Sequence, residues 1–323
     1  MDGGRVMAAD GHAGSPGIVH VIVTCTNRKS QPVPGRCHLG SVPAGDADER
    51  ACDWIGRLSD TPYSPLIAAR DLYAGEHWVV ACGLPDLAGG GRIRLWACSA
   101  GYGLIPADAP VRSYAATFTG GHPDSVPGGA DGARAWWHAL SLWAGPSSGQ
   151  PRSIRELAAK EPTASYLLAL SATYLSACRE DIVAASSLVR DPDRFVVVSA
   201  GARDPGQLAG VMVPADARLQ ALLGGTRQAL NARIAAYLLS AGIVGRADAA
   251  RHLARLLAQQ PSVPRYERKK LSDAEVLALI ADGLARSPGA SASRLLRQFR
   301  DAGYACEQGR FGRLHQLLTE NAT

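Results

Sequence analysis

The chain of 323 residues lacks the short motifs that mark several large enzyme classes. It contains no Walker A loop, no GxGxxG, no HExxH and no GxSxG. These absences argue against P-loop NTPases, dinucleotide-dependent dehydrogenases, zinc proteases and α/β hydrolases. Its seven cysteines form no CxxC pair, and no cysteine–histidine cluster has the spacing of a zinc site. We therefore expect no metal, no cofactor, and free thiols in a reducing compartment.

The chain also lacks a long apolar run. Residues 1–17 have no apolar core like that of a signal peptide, and we expect them to be a disordered lead-in. The most apolar helical pattern covers 163–178, where Ser, Thr and Tyr interrupt it, so it predicts a buried helix within a longer helical stretch, 163–190, rather than a membrane span. These features predict a cytoplasmic protein with no membrane contact.

Positive charge is concentrated in the last third of the chain. Residues 226–323 contain 15 Lys and Arg against 8 Asp and Glu, whereas the remainder contains 19 against 21. The excess is therefore +7 in the last third and −2 elsewhere. Such asymmetry favours contact with a nucleic-acid backbone, although a basic surface without a partner is the alternative.

Three apolar runs, at 18–24, 93–98 and 195–199, predict buried strands separated by helical segments. This order predicts an α/β fold: a parallel-sheet N-terminal domain (18–217) with helices on both faces, then a helical C-terminal domain (218–323). Each strand stops at a polar loop, and two loops contain Ser-Ala-Gly, at 99–101 and 199–201. Because ligands of open parallel sheets bind beyond the carboxyl ends of the strands, the three loops are expected to border one site.

The C-terminal region reads as short helices, of which the first opens with a Ser272–Glu275 capping box. The second covers 292–302 and carries arginines three residues apart. This pattern resembles a helix-turn-helix or winged-helix module that binds DNA, and a scaffolding bundle is the alternative. The expected DNA-binding residues are Arg265, Arg268, Lys269, Lys270, Arg294, Arg297, Arg310 and Arg313.

Four segments in order carry a resemblance to a known family: TCTNRK at 24–29, ARDLYAGEHW at 69–78, SAGYGLI at 99–105 and YAATF at 114–118. They are similar to a largely uncharacterised bacterial family related to the YaaA-like group and to DUF6884 domains. The match covers about residues 18–126. The resemblance extends to phage-defence DNA glycosylases that remove glucosylated hydroxymethylcytosine.

The resemblance implies a DNA glycosylase that flips out a modified base and excises it from phage DNA, leaving abasic sites. Such chemistry needs a carboxylate for the sugar cation and donors for the departing base. The candidate catalytic residues are Asp71, Asp124, Asn27 and Ser99. The candidate substrate-binding residues are Cys25, Thr26, Arg28, Lys29, Gly101, Tyr102, Tyr114, Thr117, Ser199, Gly201 and Arg203.

Two other functions fit the same residues. The first is a base-exchange transglycosylase or a nucleoside glycosidase, and the second is a non-catalytic DNA-binding regulator that senses a nucleotide. Structural roles also stay open for single residues: Asp71 as a surface carboxylate, Asp124 as a turn residue and Cys25 as a buried thiol.

Overall fold

The computed structural model describes residues 17–60, 64–88, 92–203, 205–261 and 268–320. The chain forms two compact units, 1–261 and 262–323. The first unit contains the sheet and the second contains three helices.

The first unit is built on a five-stranded sheet. The strands of this unit are β1 Val19–Thr24, β2 Ile67–Ala68, β3 Ile93–Ser99, β4 Gly103–Pro106, β5 Pro110–Val111, β6 Ser165–Ala169 and β7 Phe195–Val198. Strands β2 and β5 form a separate antiparallel pair, and the other five strands form the sheet. The order across the sheet is β4-β3-β1-β6-β7, and every neighbouring pair except β3–β4 is parallel. This topology confirms the predicted α/β class and parallel sheet.

The apolar strand sequences explain where the sheet lies. Every residue of β1, β6 and β7 is buried, so both faces of these strands are covered. Strands buried on both faces carry continuous apolar runs rather than alternating ones. The register aligns Thr24 with Cys98, and Val23 with Ala169, so the strands end along one edge.

Ten helices of the described residues surround this sheet. They are α1 Ala47–Ser59, α2 Ala69–Leu72, α3 Glu76–Cys82, α4 Gly129–Leu142, α5 Ile154–Lys160, α6 Ala172–Ala177, α7 Arg179–Ser186, α8 Leu219–Leu223, α9 Leu230–Ser240 and α10 Arg246–Ala258. Helix α5 begins as predicted at Ser153, whose hydroxyl accepts from Glu156 N. Helix α1 begins at a capping box of Asp46 and Glu49.

The predicted continuous helix over 163–190 is wrong. Its first part is strand β6, which pairs with β1 on one side and β7 on the other. Only then do α6 and α7 follow. A five-residue strand buried on both faces shows no period of two, so its sequence, SYLLA, cannot be told from a buried helix by periodicity.

The division between the units lies after Pro261 rather than after residue 217. Helices α8 to α10 belong to the first unit, because Leu230, Ile234 and Leu238 are buried in the same core as the sheet. Helix α9 contacts β6, β7 and α3. The basic last third is therefore shared between two units instead of forming one domain.

The second unit has its own apolar core. Its elements are β8 Lys269–Lys270, α11 Asp273–Arg286, α12 Ala292–Asp301, β9 Tyr304–Ala305 and α13 Gln308–Glu320. Helix α11 starts at the predicted Ser272–Glu275 capping box. Val276, Ile280 and Phe311 are almost completely buried between the helices. A helix-turn-helix role for this unit stays a prediction.

Within the ranges that the structure describes, no helix combines the length and apolar character needed to cross a membrane.

Candidate functional site

The carboxyl ends of β1 and β6 define the switch point of the sheet. The chain leaves β1 towards β3 on one side, and it leaves β6 towards β7 on the other. In doubly wound sheets this divergence is where ligands bind. Ser171 N, just after β6, donates to Thr24 Oγ1 at 2.9 Å, which ties the two strand ends together.

A group of polar side chains, all buried except the half-buried Lys29, fills the region beside this switch point. We call it the strand-end cluster, and its members are Cys25, Lys29, Tyr73, Ser99, Tyr114 and Tyr174. Cys25 Sγ lies 3.2 Å from Tyr174 Oη, and the hydroxyls of Tyr73 and Tyr114 are 2.9 Å apart. The cluster joins the loops after β1 and β3, as predicted, but it draws Tyr73 and Tyr174 from helical segments as well.

The direction of one hydrogen bond in the cluster follows from counting protons. Ser99 Oγ accepts from the backbone N–H groups of Gly101 and Tyr102, at 3.1 and 2.9 Å. Its own proton is therefore donated to Tyr114 Oη, 2.6 Å away. Tyr114 can then donate onward to Tyr73 Oη or to Cys25 Sγ at 3.7 Å. The cluster is a connected chain of hydroxyl donors.

Lys29 places the cluster's amine at the end of the β1 loop. Its Nζ donates to Thr26 O at 2.6 Å and to Asn27 O at 3.3 Å. It also lies over two aromatic rings, 4.4 Å from the centroid of Tyr114 and 5.2 Å from that of Tyr73. Among the described residues no carboxylate pairs with this amine, and burial lowers the pKa of Lys29 to about 8.

The tyrosines of the cluster stay protonated at physiological pH. Burial raises the pKa of Tyr73, Tyr114 and Tyr174 well above the ordinary value, and the neighbouring Cys25 thiol adds to the rise. They are therefore neutral groups that donate hydrogen bonds, not anionic bases. Thr117, a predicted substrate-binding residue, is buried beside them and hydrogen-bonds to Tyr174.

The turn after β3 uses its polar groups internally. Its N–H groups at Gly101 and Tyr102 donate to Ser99, so they are not available to bind a sugar or phosphate. The indole N–H of Trp54 donates to Gly101 O at 2.9 Å, and that of Trp136 donates to Ala100 O at 2.7 Å. The turn is a support for the cluster rather than an anion cradle.

Gly101 and Tyr102 serve packing in this structure. A Cβ on Gly101 would lie 2.3 Å from Tyr114 Cε2, so the bare backbone makes room for that ring. Tyr102 is 2% exposed, and its ring packs against Tyr114 and Trp143. Its hydroxyl accepts from Arg112 N at 3.0 Å. Tyr102 therefore has no free face on which a base could stack.

The exposed rim of the site comes from the β1 loop. Asn27 and Arg28 are exposed, and Thr26 is half-buried. Thr26 Oγ1 donates to Arg28 O at 3.0 Å and accepts from Ala74 N at 3.3 Å, which shapes the loop around Lys29. Asn27, a predicted catalytic residue, and Thr26 and Arg28, predicted to bind substrate, are thus the side chains that reach solvent next to the cluster.

The loop after β7 lies apart from the cluster. Strand β6 separates β7 from β1, and adjacent strands are about 4.8 Å apart. Ser199 is buried, and its Oγ has no hydrogen-bond partner among the described residues. Gly201 and Arg203 are exposed. Among the described residues this loop makes no hydrogen bond to the cluster, and the meeting of all three loops at one site stays a prediction.

Asn231, which sequence reasoning missed, holds the ends of β6 and β7. Its Nδ2 donates to Leu170 O at 2.8 Å, and its Oδ1 accepts from Ala200 N at 2.8 Å. Asn231 lies near the start of α9, far along the chain from both strands. No local pattern in the sequence signals this contact.

The two predicted catalytic carboxylates lie outside the cluster. Asp71 is exposed on α2, and its backbone carbonyl accepts from Ser30 Oγ at 2.6 Å. Asp124 is 5% exposed; its Oδ1 accepts from Gly40 N at 3.0 Å and its Oδ2 lies 3.1 Å from His38 Nδ1. Asp124 thus orients His38, a residue that we did not predict, and neither carboxylate faces Lys29 in the hydrogen-bond network.

The predicted DNA-binding residues of the second unit fall into two groups. Arg268 Nε donates to Arg300 O at 3.1 Å, while Arg310 Nε donates to Asp273 Oδ1 at 2.7 Å, so both arginines hold the unit together. Arg265 lies outside the described residues. The exposed cations are Lys269, Lys270, Arg294, Arg297 and Arg313.

Across the described ranges, no three His, Cys, Asp or Glu side chains approach closely enough to hold a metal ion. Comparison of this chain with protein-family models, with curated proteins and with solved structures gave no match. The interpretation of the site therefore depends on its own geometry.

Proposed function

We propose that this protein is an enzyme that cleaves the N-glycosidic bond of a modified base in DNA, with the strand-end cluster as its active site. The observation that carries the proposal is the placement of the Lys29 amine beside the switch point. It is seated on two tyrosine rings, without a carboxylate partner among the described residues, under the exposed loop of Thr26 to Arg28. A polar, titratable group at such a position is typical of an active site.

The hydroxyl chain suits the departure of a base. Breaking an N-glycosidic bond leaves negative charge on the base, and neutral donors stabilise that charge. Tyr73 and Tyr114 are protonated donors joined to Ser99. Because their hydroxyl groups are buried, hydrogen bonds from them are stronger than they would be in water.

The absence of a carboxylate from the cluster changes the mechanism that we expected from sequence. Asp71 and Asp124 would have stabilised the sugar cation, but Asp71 is exposed and has no hydrogen bond to the cluster, and Asp124 is held by Gly40 and His38. The described groups that can act on the sugar from within the cluster are instead an amine, a thiol and neutral hydroxyls. The proposed chemistry therefore relies on Lys29.

Two features support DNA as the substrate. One is the similarity of the segments at 24–29, 69–78, 99–105 and 114–118 to a family that includes DNA glycosylases. The other is the group of exposed cations Lys269, Lys270, Arg294, Arg297 and Arg313, which suits phosphate contact. Glucosylated hydroxymethylcytosine is the modified base that the similarity favours.

The test is base release from defined DNA. The full chain is incubated with phage DNA that contains glucosylated hydroxymethylcytosine and with the same DNA lacking the modification. Released base is measured by chromatography, and abasic sites are measured as strand breaks after alkali. We expect release from the modified DNA alone, with loss of release in Lys29→Met and its retention in Lys160→Met.

Each alternative function predicts a different result. A base-exchange enzyme would incorporate labelled free base into DNA without producing abasic sites. A regulator would bind DNA without releasing any base. Release of no base from either DNA, by a folded protein, would contradict the proposal.

A further inference from the structure

Lys29 differs in its surroundings from the other lysines of the chain. There are four lysines, at positions 29, 160, 269 and 270. Lys160 pairs with Glu156 at 3.1 Å on the surface, and Lys269 and Lys270 are exposed on β8. Lys29 alone among the four lies on two tyrosine rings within a network of buried side chains. Lys29 is therefore surrounded by protein groups, whereas the other three lysines lie on the solvated surface.

We infer that Lys29 is the nucleophile of the proposed glycosylase, and that its amine attacks C1′ of the flipped nucleotide to displace the base. This inference rests on the proposed function and deepens it. It replaces the carboxylate-assisted attack of water by covalent catalysis through an amine. It also assigns to Lys29 a role beyond substrate binding.

The contacts of Lys29 Nζ determine which hydrogen bond the amine gives up when it loses a proton. An ammonium group has three N–H bonds, and here they point towards Thr26 O, Asn27 O and the ring of Tyr114. The contact with Asn27 O is the weaker of the two hydrogen bonds, at 3.3 Å against 2.6 Å. When a proton is lost, the contact given up first is therefore the one with Asn27 O. A lone pair that faces this carbonyl oxygen is repelled by it, so the neutral amine turns away from Asn27 O towards a bound sugar while it keeps the stronger hydrogen bond to Thr26 O.

The protonation state fits this role. With a pKa of about 8, about a tenth of the Lys29 side chains are neutral at pH 7, whereas an ordinary lysine is almost entirely charged. The neutral form is the nucleophile. The tyrosine rings hold the amine in place while it changes charge, because their own hydroxyls do not ionise in this range.

The chemistry balances without any added oxidant or reductant. The amine lone pair forms a bond to C1′ while the C1′–N bond of the base breaks, and that electron pair leaves with the base. A proton lost from Nζ compensates the proton that the base takes up. The nitrogen lone pair then opens the C1′–O4′ bond, and O4′ takes one proton from solvent, which gives an iminium and a 4′-hydroxyl. Water adds at C1′, which restores the amine, returns that proton to solvent and leaves an abasic sugar aldehyde.

The iminium can be trapped directly. The full wild-type chain is mixed with a short duplex containing one glucosylated hydroxymethylcytosine in the presence of borohydride, which reduces an iminium to a stable amine. The cross-linked protein is detected by electrophoresis, and the modified peptide is identified by mass spectrometry. Free base is measured in parallel without borohydride. Because the mapping uses the wild-type chain, it does not depend on any variant folding.

We expect an adduct on Lys29 and on no other lysine. Lys29→Arg keeps the charge but removes a usable nucleophile, and we expect it to lower base release roughly a hundredfold or more. Lys160→Met should form the adduct at the wild-type rate. Circular dichroism and the unfolding midpoint establish that each variant is folded.

The outcomes separate this inference from the proposed function. Base release without an adduct, together with near wild-type release by Lys29→Arg, would overturn the nucleophile and leave the glycosylase intact. An adduct on Lys269, Lys270, Lys160 or the terminal amine would also overturn it. If the wild-type chain releases no base from modified DNA, the proposed function fails, and this inference fails with it.

Discussion

The tripeptide Ser-Ala-Gly occurs three times in the chain, and the two copies at strand ends of one sheet, 99–101 and 199–201, have different environments. Ser99 accepts two backbone hydrogen bonds and donates to Tyr114. Ser199 is equally buried, but its hydroxyl has no partner among the described residues. A Cβ on Gly101 would strike the Tyr114 ring, whereas one on Gly201 would meet Ala172 Cβ at an ordinary 3.7 Å.

The difference follows from what comes next in the chain. After Ser99 the chain turns back into β4, and this hairpin brings Tyr114 across the turn. After Ser199 the chain leaves the sheet, and Asn231 takes hold of the backbone at Ala200 instead. An identical tripeptide at equivalent strand ends therefore does not imply an equivalent site, because the neighbouring segments determine its role.

The largest expected difference between the copies is that of their glycines. Gly101→Ala places a methyl group 2.3 Å from the ring of Tyr114, which is fully buried and hydrogen-bonded and cannot move aside. We expect a loss of about 3 kcal/mol in the free energy of unfolding. Gly201→Ala should change it by less than about 0.5 kcal/mol, because the site is open. Denaturant unfolding of both variants measures the contrast, and equal losses would contradict it.

The two serines give the next contrast. Ser99→Ala leaves the N–H groups of Gly101 and Tyr102 without a partner and removes one hydrogen bond of the Tyr114 hydroxyl, and we expect a loss of about 2–3 kcal/mol. Ser199→Ala removes a buried hydroxyl that makes no hydrogen bond with the described residues, so stability should stay the same or rise by up to about 1 kcal/mol. A larger loss in Ser199→Ala than in Ser99→Ala would reverse the comparison.

The smallest expected effect on the free energy of unfolding comes from the charge of Lys29, which lies beside the first Ser-Ala-Gly copy. Burial lowers the pKa of Lys29 to about 8 in the folded chain, whereas an unfolded lysine titrates near 10.5. Between these values the unfolded state binds more protons, so the free energy of unfolding rises with pH. The change is small because the side chain is half-buried and water screens its charge.

Unfolding of wild type and Lys29→Met at pH 7 and pH 9 measures this term. Other titrating groups, such as the thiols and tyrosines, are common to both proteins and cancel in the difference. Wild type should gain stability relative to Lys29→Met over this interval. Parallel pH profiles would show that the amine is as well hydrated in the folded chain as in the unfolded one.

Sequence reasoning predicted the strands whose apolar runs contain Val and Ile, such as β1 and β7, and it placed their polar ends at one edge of a sheet. It missed β6, because Leu and Ala suit a helix as well as a strand and burial on both faces removes alternation. It also placed the domain boundary before α8, because an amphipathic helix does not reveal which apolar surface it covers.

Part of the site was predictable because its residues follow strands in the sequence. Cys25, Lys29 and Ser99 directly follow or end strands, and Tyr114 belongs to a segment with a family resemblance. The contacts of Tyr174 and Asn231 span 149 and 61 residues, so only the folded chain brings them to their partners. Sequence also cannot show which groups a carboxylate contacts, and in the folded chain neither Asp71 nor Asp124 hydrogen-bonds to a hydroxyl of the cluster.

The contacts of the Asn231 amide have a consequence for folding during synthesis. Strands β6 and β7 leave the ribosome before residue 231. The carbonyl of Leu170 and the N–H of Ala200 therefore lack their hydrogen-bond partner until α9 has been synthesised. This edge of the sheet is therefore completed late in translation. A nascent chain released shortly after β7 would have a sheet without the two hydrogen bonds that Asn231 makes at the ends of β6 and β7.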